Sequence, residues 1–446
     1  MARTSSDQTH TTAAVLAIGD ELISGESVDT NSAYVAQRLS AIGVKPIAHQ
    51  TVGDDLDAIV DAMRSLATRA DLVVSTGGLG PTDDDLTRPA LAQALGEELV
   101  KDADAAATLE KRVGRAGEKL LNANRVQTQR PTSANMIPNK FGTAPGLTAM
   151  LRESNNGSGE PHSCEIFCLP GPPGEMKPMF EGFVAPVIRP PVGRVIRVRT
   201  LWIFGLPESA IPAMLDGLME RGRNPVVGTA AKSAVIACKI RYAGAASEAD
   251  SALDQAEQKV RTALDPFVFG SGDETLASCV VELLRAQGQT VATAESCTGG
   301  LVGEMLTSHP GSSAVFVGGW VTYTNELKIG ELGVNSSAIE AEGAVSEAVA
   351  KQMAEGAIEQ GARDGALATH ALAITGIAGP DGGSPDKPVG TVFIARATTG
   401  EETDVRLFRF PDSRNVVRER SALAALGMLR LKLIGRTDVK LLWEQT

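Results

Sequence analysis

Ser296 stands in the run Ala294-Glu295-Ser296-Cys297-Thr298-Gly299-Gly300-Leu301, where an apolar stretch gives way to a turn and then a helical pattern. A turn of this kind exposes the hydroxyl, and its glycines let backbone N–H groups face a ligand at a helix N-terminus. That is the chemistry of a nucleophile with an oxyanion site beside it. The same residues also read as a helix start that needs only Ser/Thr capping and glycine for the turn. A serine hydroxyl is a weak nucleophile without a base. Of the five histidines, His309 precedes a Pro-Gly turn and His370 sits just before a strand, and neither comes with a neighbouring carboxylate to orient it. Lys328, in Tyr323-Thr324-Asn325-Glu326-Leu327-Lys328, is the alternative. A free lysine titrates near ~10.4, so work at neutral pH needs a fall of roughly three units, or ~4 kcal/mol. Burial beside an apolar strand supplies such a fall. An exposed lysine at a strand end is the competing reading.

A second set lies nearer the start. Gly77-Gly78-Leu79-Gly80-Pro81-Thr82-Asp83-Asp84-Asp85 follows an apolar strand. Adjacent carboxylates repel unless they are solvated or share a cation. Asp20 and Glu21, at another strand end, add oxygen ligands for a hard divalent ion. The plainer role for Asp83–Asp85 is to cap a helix over Leu86–Leu95. Ile374–Gly383 is a third glycine-rich stretch, and it carries no GxxxxGK[ST] phosphate cradle. Cys164 and Cys168 have a CxxxC spacing with His162 nearby but no second pair, which fits a strand better than a zinc site.

The elements that must hold these residues are legible as well. Ala13–Ile18, Val44–Val52 and Leu72–Thr76 read as strands. Between them, Ser32–Ile42, with Thr30-Asn31 as cap, and a stretch from Leu56, capped by Asp54 or Asp55, read as helices. The βαβαβ order predicts a parallel sheet with functional loops after the strands' carboxyl ends. Glu153–His162 reads as a polar loop, and Leu169–Met176 as too rich in Pro and Gly for regular structure. A linker at 186–192 leads to a small α+β unit with strands at Val195–Phe204, Val226–Thr229 and Val235–Tyr242 and helices at Glu208–Arg221 and Ser247–Leu264. The third region has helices from Leu276, at Leu301–Ser308, Ser346–Gln360 and Asn415–Leu433. Its strands are expected at Gln289–Glu295, Ala314–Thr324, Leu372–Thr375 and Gly390–Arg396.

The 446 residues carry 42 basic and 54 acidic side chains, a net charge of −12. That argues against a general nucleic-acid binder and against adhesion to anionic membranes. Residues 1–12 lack the apolar core of a signal peptide, no run of ~18 apolar residues occurs, and five scattered cysteines suit a reducing compartment. A cytoplasmic location is expected.

Taken in order and spacing, the motifs resemble the CinA family, the competence- and damage-inducible protein A proteins, over about residues 12–435. The third region is similar to the bacterial nicotinamide mononucleotide deamidase through AESCTGGL (294–301), PGSSAVF (310–316), YTNELK (323–328), TGIAGPDGG (375–383), KPVGTV (387–392) and DSRNVVRERSALAAL (412–426). The resemblance implies metal-free amidohydrolysis of nicotinamide mononucleotide to nicotinic acid mononucleotide and ammonia. Ser296 would attack the carboxamide carbon, Lys328 would take its proton and Tyr323 would assist. The resemblance also places the oxyanion at Thr298, Gly299 and Gly300, and draws substrate contacts from Ser312, Ser313, Asn325, Thr375, Gly376 and Arg414.

The first region resembles molybdopterin-binding proteins through GDELISG (19–25), DTNSAYVAQRL (29–39), TGGLGPTDDDLT (76–87), NKFGTAPGL (139–147) and LPGPPGEMKPMF (169–180). In this family it is associated with a metal-dependent ADP-ribose pyrophosphatase activity. Asp84 and Asp85 would then be the metal-binding or catalytic carboxylates, with Asp20 as a further metal ligand, and Gly77, Gly78 and Gly80 would line the diphosphate. The implied architecture is α/β throughout: a molybdopterin-binding-like parallel-sheet domain over 12–185, a small α+β domain over 193–268 and an α/β CinA amidase domain over 273–435. The Gly205-Leu206-Pro207-Glu208-Ser209 turn of the middle domain is assigned no chemistry. The expected partners are nicotinamide mononucleotide and ADP-ribose, with no nucleic acid and no membrane, in a homodimer. The alternatives are a first domain that binds a pterin or nucleotide without turning it over, and an interaction factor of DNA uptake or damage.

Overall fold

The computed structural model describes residues 8–113, 117–154, 161–232, 234–362 and 368–445. The chain divides into two compact units: residues up to Arg197 with Tyr242–Asp250, and Val198–Arg241 with Ser251 onward. Among the described residues no helix is long and apolar enough to cross a membrane.

The first unit contains β1 (Thr12–Ile18), β2 (Lys45–Val52), β3 (Leu72–Thr76), β4 (Leu99–Lys101), β5 (Gln129–Pro131), β6 (Asn135–Ile137), β7 (Gly146–Ser154) and β8 (Pro161–Leu169). Six of them form one sheet in the order β2-β1-β3-β8-β7-β6. The β2-β1-β3-β8 core is parallel, and β7 and β6 extend it antiparallel. Side chains alternate across a strand. Ala14, Leu16 and Ile18 therefore enter one core with helix Leu56–Ala67, while Ala13 and Val15 enter another with helix Thr30–Ile42 and Met176–Val184. Burial on both faces is why these strands read as continuous apolar runs.

Several local expectations are corrected. Helix Thr30–Ile42 is capped by Asp29, which accepts from the Ser32 amide, rather than by Thr30 or Asn31. Helix Thr87–Leu95 has no side-chain cap, so Asp83–Asp85 do not serve it. Within Leu169–Met176, Pro173 opens a helix to Met179, because proline's missing N–H costs nothing in a first turn. Cys164 and Cys168 are fully buried free thiols in β8. The tip of the polar stretch, 155–160, lies outside the described residues.

Next come β9 (Arg194–Ile203), β10 (Val226–Lys232), β11 (Val235–Ala245) and β12 (Val268–Ser271), a sheet ordered β10-β11-β9-β12. The helix expected over Glu208–Arg221 shrinks to a turn at Glu208–Ala210 and Ile211–Met214. Asp216 and Gly217 have left-handed φ values of 36° and 74°, which end it.

The remaining strands are β13 (Val291–Glu295), β14 (Phe316–Val321), β15 (His370–Gly376), β16 (Thr391–Thr398) and β17 (Asp404–Arg409), ordered β14-β13-β15-β16-β17. β14, β13 and β15 are parallel; β16 and β17 run antiparallel to their neighbours. The two faces of this sheet differ in size. One presents Val291, Leu372, Ile374, Val392 and Ile394 to helices Leu276–Gln287 and Arg414–Leu433. The other presents Ala292, Ala294, Ala371, Ala373, Ala395 and Ala397 to helix Glu347–Gln360. On its other side that helix packs closely on helix Asn325–Leu332: a Cβ at Gly356 would lie 2.0 Å from the Leu332 carbonyl oxygen.

Candidate functional site

Because β13, β14 and β15 are parallel, their carboxyl ends open along one edge. Ser296 follows β13 there. Its amide donates to the Ile374 carbonyl at 3.0 Å, and the Gly299 amide closes back on the Ser296 carbonyl at 3.1 Å. After β14 the chain turns into helix Asn325–Leu332, whose cap Thr324 accepts from the Leu327 amide. This helix, absent from the sequence reading, brings Lys328 back under the strand ends. Lys328 is only 2% exposed. Its Nζ donates to the Thr322 carbonyl at 2.7 Å and lies 3.1 Å from Ser296 Oγ. Burial pushes the ammonium pKa down, and only the Cys297 thiol opposes that shift. Among the described residues no carboxylate pairs with it. A neutral amine held by Thr322 has its lone pair free for the serine proton. Cys297 is no rival nucleophile, because burial pushes its thiol up to about 11.

Glu295 is 1% exposed. Its carboxylate accepts from the Gly300, Val302 and Gly303 amides at 3.0–3.1 Å. It thereby satisfies the orphan donors at the start of helix Leu301–Thr307. The Gly299 and Gly300 amides are therefore already engaged, by the Ser296 carbonyl and by Glu295, and are not free for an oxyanion. The Thr298 carbonyl is held by Arg418 at 2.8 Å.

The rim carries the other motif residues. Tyr323 is 59% exposed and its hydroxyl accepts from Arg414 at 3.1 Å rather than meeting Ser296 or Lys328. Arg414 also donates to the Gly379 carbonyl at 2.7 Å. Thr375 gives its hydroxyl proton to the Ala344 carbonyl at 2.7 Å, and Lys387 donates to the Glu342 and Val345 carbonyls on the same loop. A Cβ at Gly376 would lie 2.7 Å from the Val392 side chain, so that glycine serves close strand approach. Asn325 is exposed at the first position of its helix. Ser312 and Ser313 are not brought to this edge. They precede β14, which pairs Phe316 with Val291 and Val321 with Glu295, so they lie at the opposite end of the strands, roughly 15 Å away at ~3.3 Å per residue.

The first unit has its own site. The carboxyl ends of β1, β2, β3 and β8 empty into a cavity of about 470 Å³. Gly77, Gly78, Gly80, Asp84 and Asp85 line it, with Glu21, Asp29, Asp54 and Glu175 on other walls. Among the described residues no Lys, Arg or His lines it. Asp84 is exposed, and hydrogen bonds with Thr82 and with its own amide hold its carboxyl below the usual range, whereas Asp85 accepts from the Gly80 amide and from the amide and hydroxyl of Thr82. Asp20 does not line the cavity. It exchanges hydrogen bonds with Asp54, each carboxylate taking the other's amide at 3.0 Å. Asp54 is raised above the usual carboxylate range, first by burial and then by the charges of Asp20, Glu21 and Asp84. Arg88 is buried behind the loop and donates to the Leu79 and Gly80 carbonyls; burial lowers it to about 10.

Among the described residues no three acidic, His or Cys side chains converge as a preformed cation cage. Asp84 beside Asp54 and Glu21 instead fits an ion held by one or two carboxylates and completed by a substrate's phosphates.

Comparison with known proteins assigns each segment of the chain to a family. Residues 14–190 match the family described as probable molybdopterin binding domain, 198–270 the damage-inducible protein CinA KH domain, and 273–433 the CinA C-terminal domain. The chain is 40% identical over 434 residues to a putative competence-damage inducible protein of Symbiobacterium thermophilum, covering 94% of this chain and 98% of that one. It is 42% identical over 426 residues to a CinA-like protein of Geobacter sulfurreducens, covering 94% and 99%. A solved competence/damage inducible protein of Agrobacterium tumefaciens shares 42% identity over 36% of this chain and 93% of its own, with a TM-score of 0.34. The chain belongs to the CinA family.

The CinA C-terminal domain thus holds the Ser296–Lys328 pair, and the molybdopterin-binding-like domain holds the acidic cavity. Sequence reasoning passed over Glu295, Arg418 and Lys387 in the first site and Asp54 in the second. A signal for Glu295 was present: a carboxylate directly before a glycine-rich helix start complements that helix's N-terminus. Asp54 gave none, because an Asp ahead of a helix reads as a cap, and Asp55 is the residue that caps.

Proposed function

We propose that this CinA-family chain is a bifunctional hydrolase of pyridine nucleotides. The C-terminal domain converts nicotinamide mononucleotide to nicotinic acid mononucleotide and ammonia. The observation that carries this reading is a buried, depressed, carboxylate-free Lys328 at 3.1 Å from Ser296 Oγ. Neutral Lys328 takes the Ser296 proton as Oγ bonds to the carboxamide carbon. The carbonyl oxygen becomes an oxyanion opposite the Cys297 and Thr298 amides. The lysine then returns the proton to the nitrogen as the C–N bond breaks; ammonia leaves and the acyl group stays on Ser296 Oγ as an ester. Water, deprotonated by the same amine, cleaves the ester and frees the acid. Arg414 and Arg418 supply positive charge at the rim for a substrate phosphate. Ammonia release measured in EDTA tests this: wild type retains it and Lys328→Ala loses it. EDTA-resistant release that persists in Lys328→Ala sinks the assignment.

For the N-terminal domain we infer hydrolysis of ADP-ribose with a divalent ion at Asp84. The ion, when bound, neutralises the diphosphate and activates the attacking water. A cavity with six acidic side chains and no cationic one repels a bare diphosphate, which supports an ion-dependent reading. A binding module without turnover is the second reading, favoured by the engagement of Asp85 in its own loop. Magnesium-dependent formation of AMP from ADP-ribose separates the two.

A further inference from the structure

Among the described residues, Gln127 lines the acidic cavity nearly fully buried and with no polar partner for its side-chain oxygen. It is 1% exposed, and its Oε1 receives no hydrogen bond. Its Nε2 likewise finds no acceptor among the described residues. The short turn that carries it, Arg125–Thr128, is fixed on both sides: Asn124 donates to the Leu120 carbonyl and Thr128 to the Arg125 carbonyl. The amide is therefore held in place, not flexibly placed, yet it has nothing to bind. Buried amides are nearly always hydrogen-bonded, and an orphan one weakens the fold. A second lining amide, Asn31, gives its Nδ2 to the Gly171 carbonyl and leaves its Oδ1 without a donor.

We propose that Gln127 is a specificity-determining residue for the base of the nucleotide bound in this cavity. A side-chain amide offers one acceptor and two donors side by side, the complement of a purine edge that presents an amine next to a ring nitrogen. The glycine loop and the ion-binding acids meet the phosphates, and Gln127 meets the heterocycle. The chemical class is a nucleoside diphosphate or its pterin counterpart, sharing an amino-substituted nitrogen heterocycle. This inference rests on the nucleotide reading of the N-terminal domain.

Calorimetric titration of the full chain with ADP and with inorganic pyrophosphate, both in magnesium, tests it in wild type and Gln127→Met. Methionine keeps the volume and removes the amide. The expected result is an ADP affinity lowered roughly 5- to 150-fold, the worth of one bidentate base contact. Pyrophosphate affinity is expected to stay unchanged, and the ligand-free melting temperature equal or higher, because an orphan polar group has gone. Unchanged ADP affinity overturns the inference and leaves the nucleotide reading standing. Equal weakening of both ligands also overturns it, since the side chain then only shapes the cavity. If wild type binds neither ligand, the nucleotide reading itself falls. A pterin monophosphate that binds tightly and loses affinity in Gln127→Met, where ADP does not bind, would keep the base contact and change the nucleotide.

Discussion

The two sites of this chain sit at equivalent places, the carboxyl ends of parallel strands, and solve opposite electrostatic problems. In the C-terminal domain a single cation is buried without a counter-charge, so it pays to be neutral, and a neutral lysine is a base. In the N-terminal domain acids crowd an open cavity that no Lys, Arg or His among the described residues lines, so an anionic ligand there would need positive charge from solution. On the proposed reading, one site is chemically complete within the chain and the other only with an ion and a substrate. The difference teaches that shared topology fixes where a site lies and not what it does.

The largest expected effect would break the comparison at its C-terminal side. Ser296→Ala and Lys328→Met are each expected to lower kcat for ammonia release by about 10⁴-fold or more, as for members of a catalytic unit. Both proteins should fold, and Lys328→Met should melt no lower than wild type, since it removes a buried ionisable group that costs stability. Residual activity within tenfold of wild type for either variant refutes the pair as nucleophile and base.

EDTA is expected to separate the sites. It should abolish nucleotide binding and turnover in the acidic cavity while ammonia release stays unchanged. Asp84→Asn should reproduce the loss in that cavity, by about 10²-fold in kcat/KM, at wild-type melting temperature. Asp85→Asn should instead lower the melting temperature, because it weakens the bonds to Gly80 and Thr82. Equal effects on stability from both changes would erase the distinction between an exposed carboxylate and one that ties Gly80 to Thr82.

The pH profile sharpens the same contrast. Lys328 acts only when deprotonated, and its pKa is lowered from the usual 10.5. The rate of ammonia release should therefore rise with pH and level off below that value. Stability should rise with pH over the interval between the lowered native pKa and the ordinary unfolded one, because there the unfolded chain binds the extra proton. Absence of both trends in wild type, with both readouts matching those of Lys328→Met, would mean the lysine does not titrate in this range.

Two smaller effects concern positioning. Glu295→Gln keeps the side chain's size but loses its charge and turns one accepting oxygen into a donor NH2, and kcat is expected to fall about tenfold with KM little changed. Tyr323→Phe removes one exposed hydrogen bond to Arg414, worth about 1 kcal/mol or less, so kcat/KM should change less than about fivefold. A loss above a hundredfold in Tyr323→Phe would restore a direct role for its hydroxyl.

Strand and helix order was legible because burial on both sheet faces writes long apolar runs and glycine stops into the chain, as at Ala13–Ile18 and Gly43. Ser296, Lys328, Asp84 and the Gly77–Gly80 loop could be singled out because their residue types are unusual where strands end. Other features depended on distances between segments far apart in sequence. The path from Thr322 to Lys328 turned out to be a capped helix, which converts a surface lysine into a buried one. Ser312 and Ser313 belong to a motif in sequence but to the wrong end of β14 in space. Asp20 was drawn to Asp54, and Glu295 took amides that a local reading gives to a ligand. The sequence by itself determined which groups this protein owns and the topology that orders them, since both follow from local pattern. Which of those groups are free, and which are already bound by their neighbours, was decided only by the tertiary structure, because each buried polar group must find its partner wherever the fold places one.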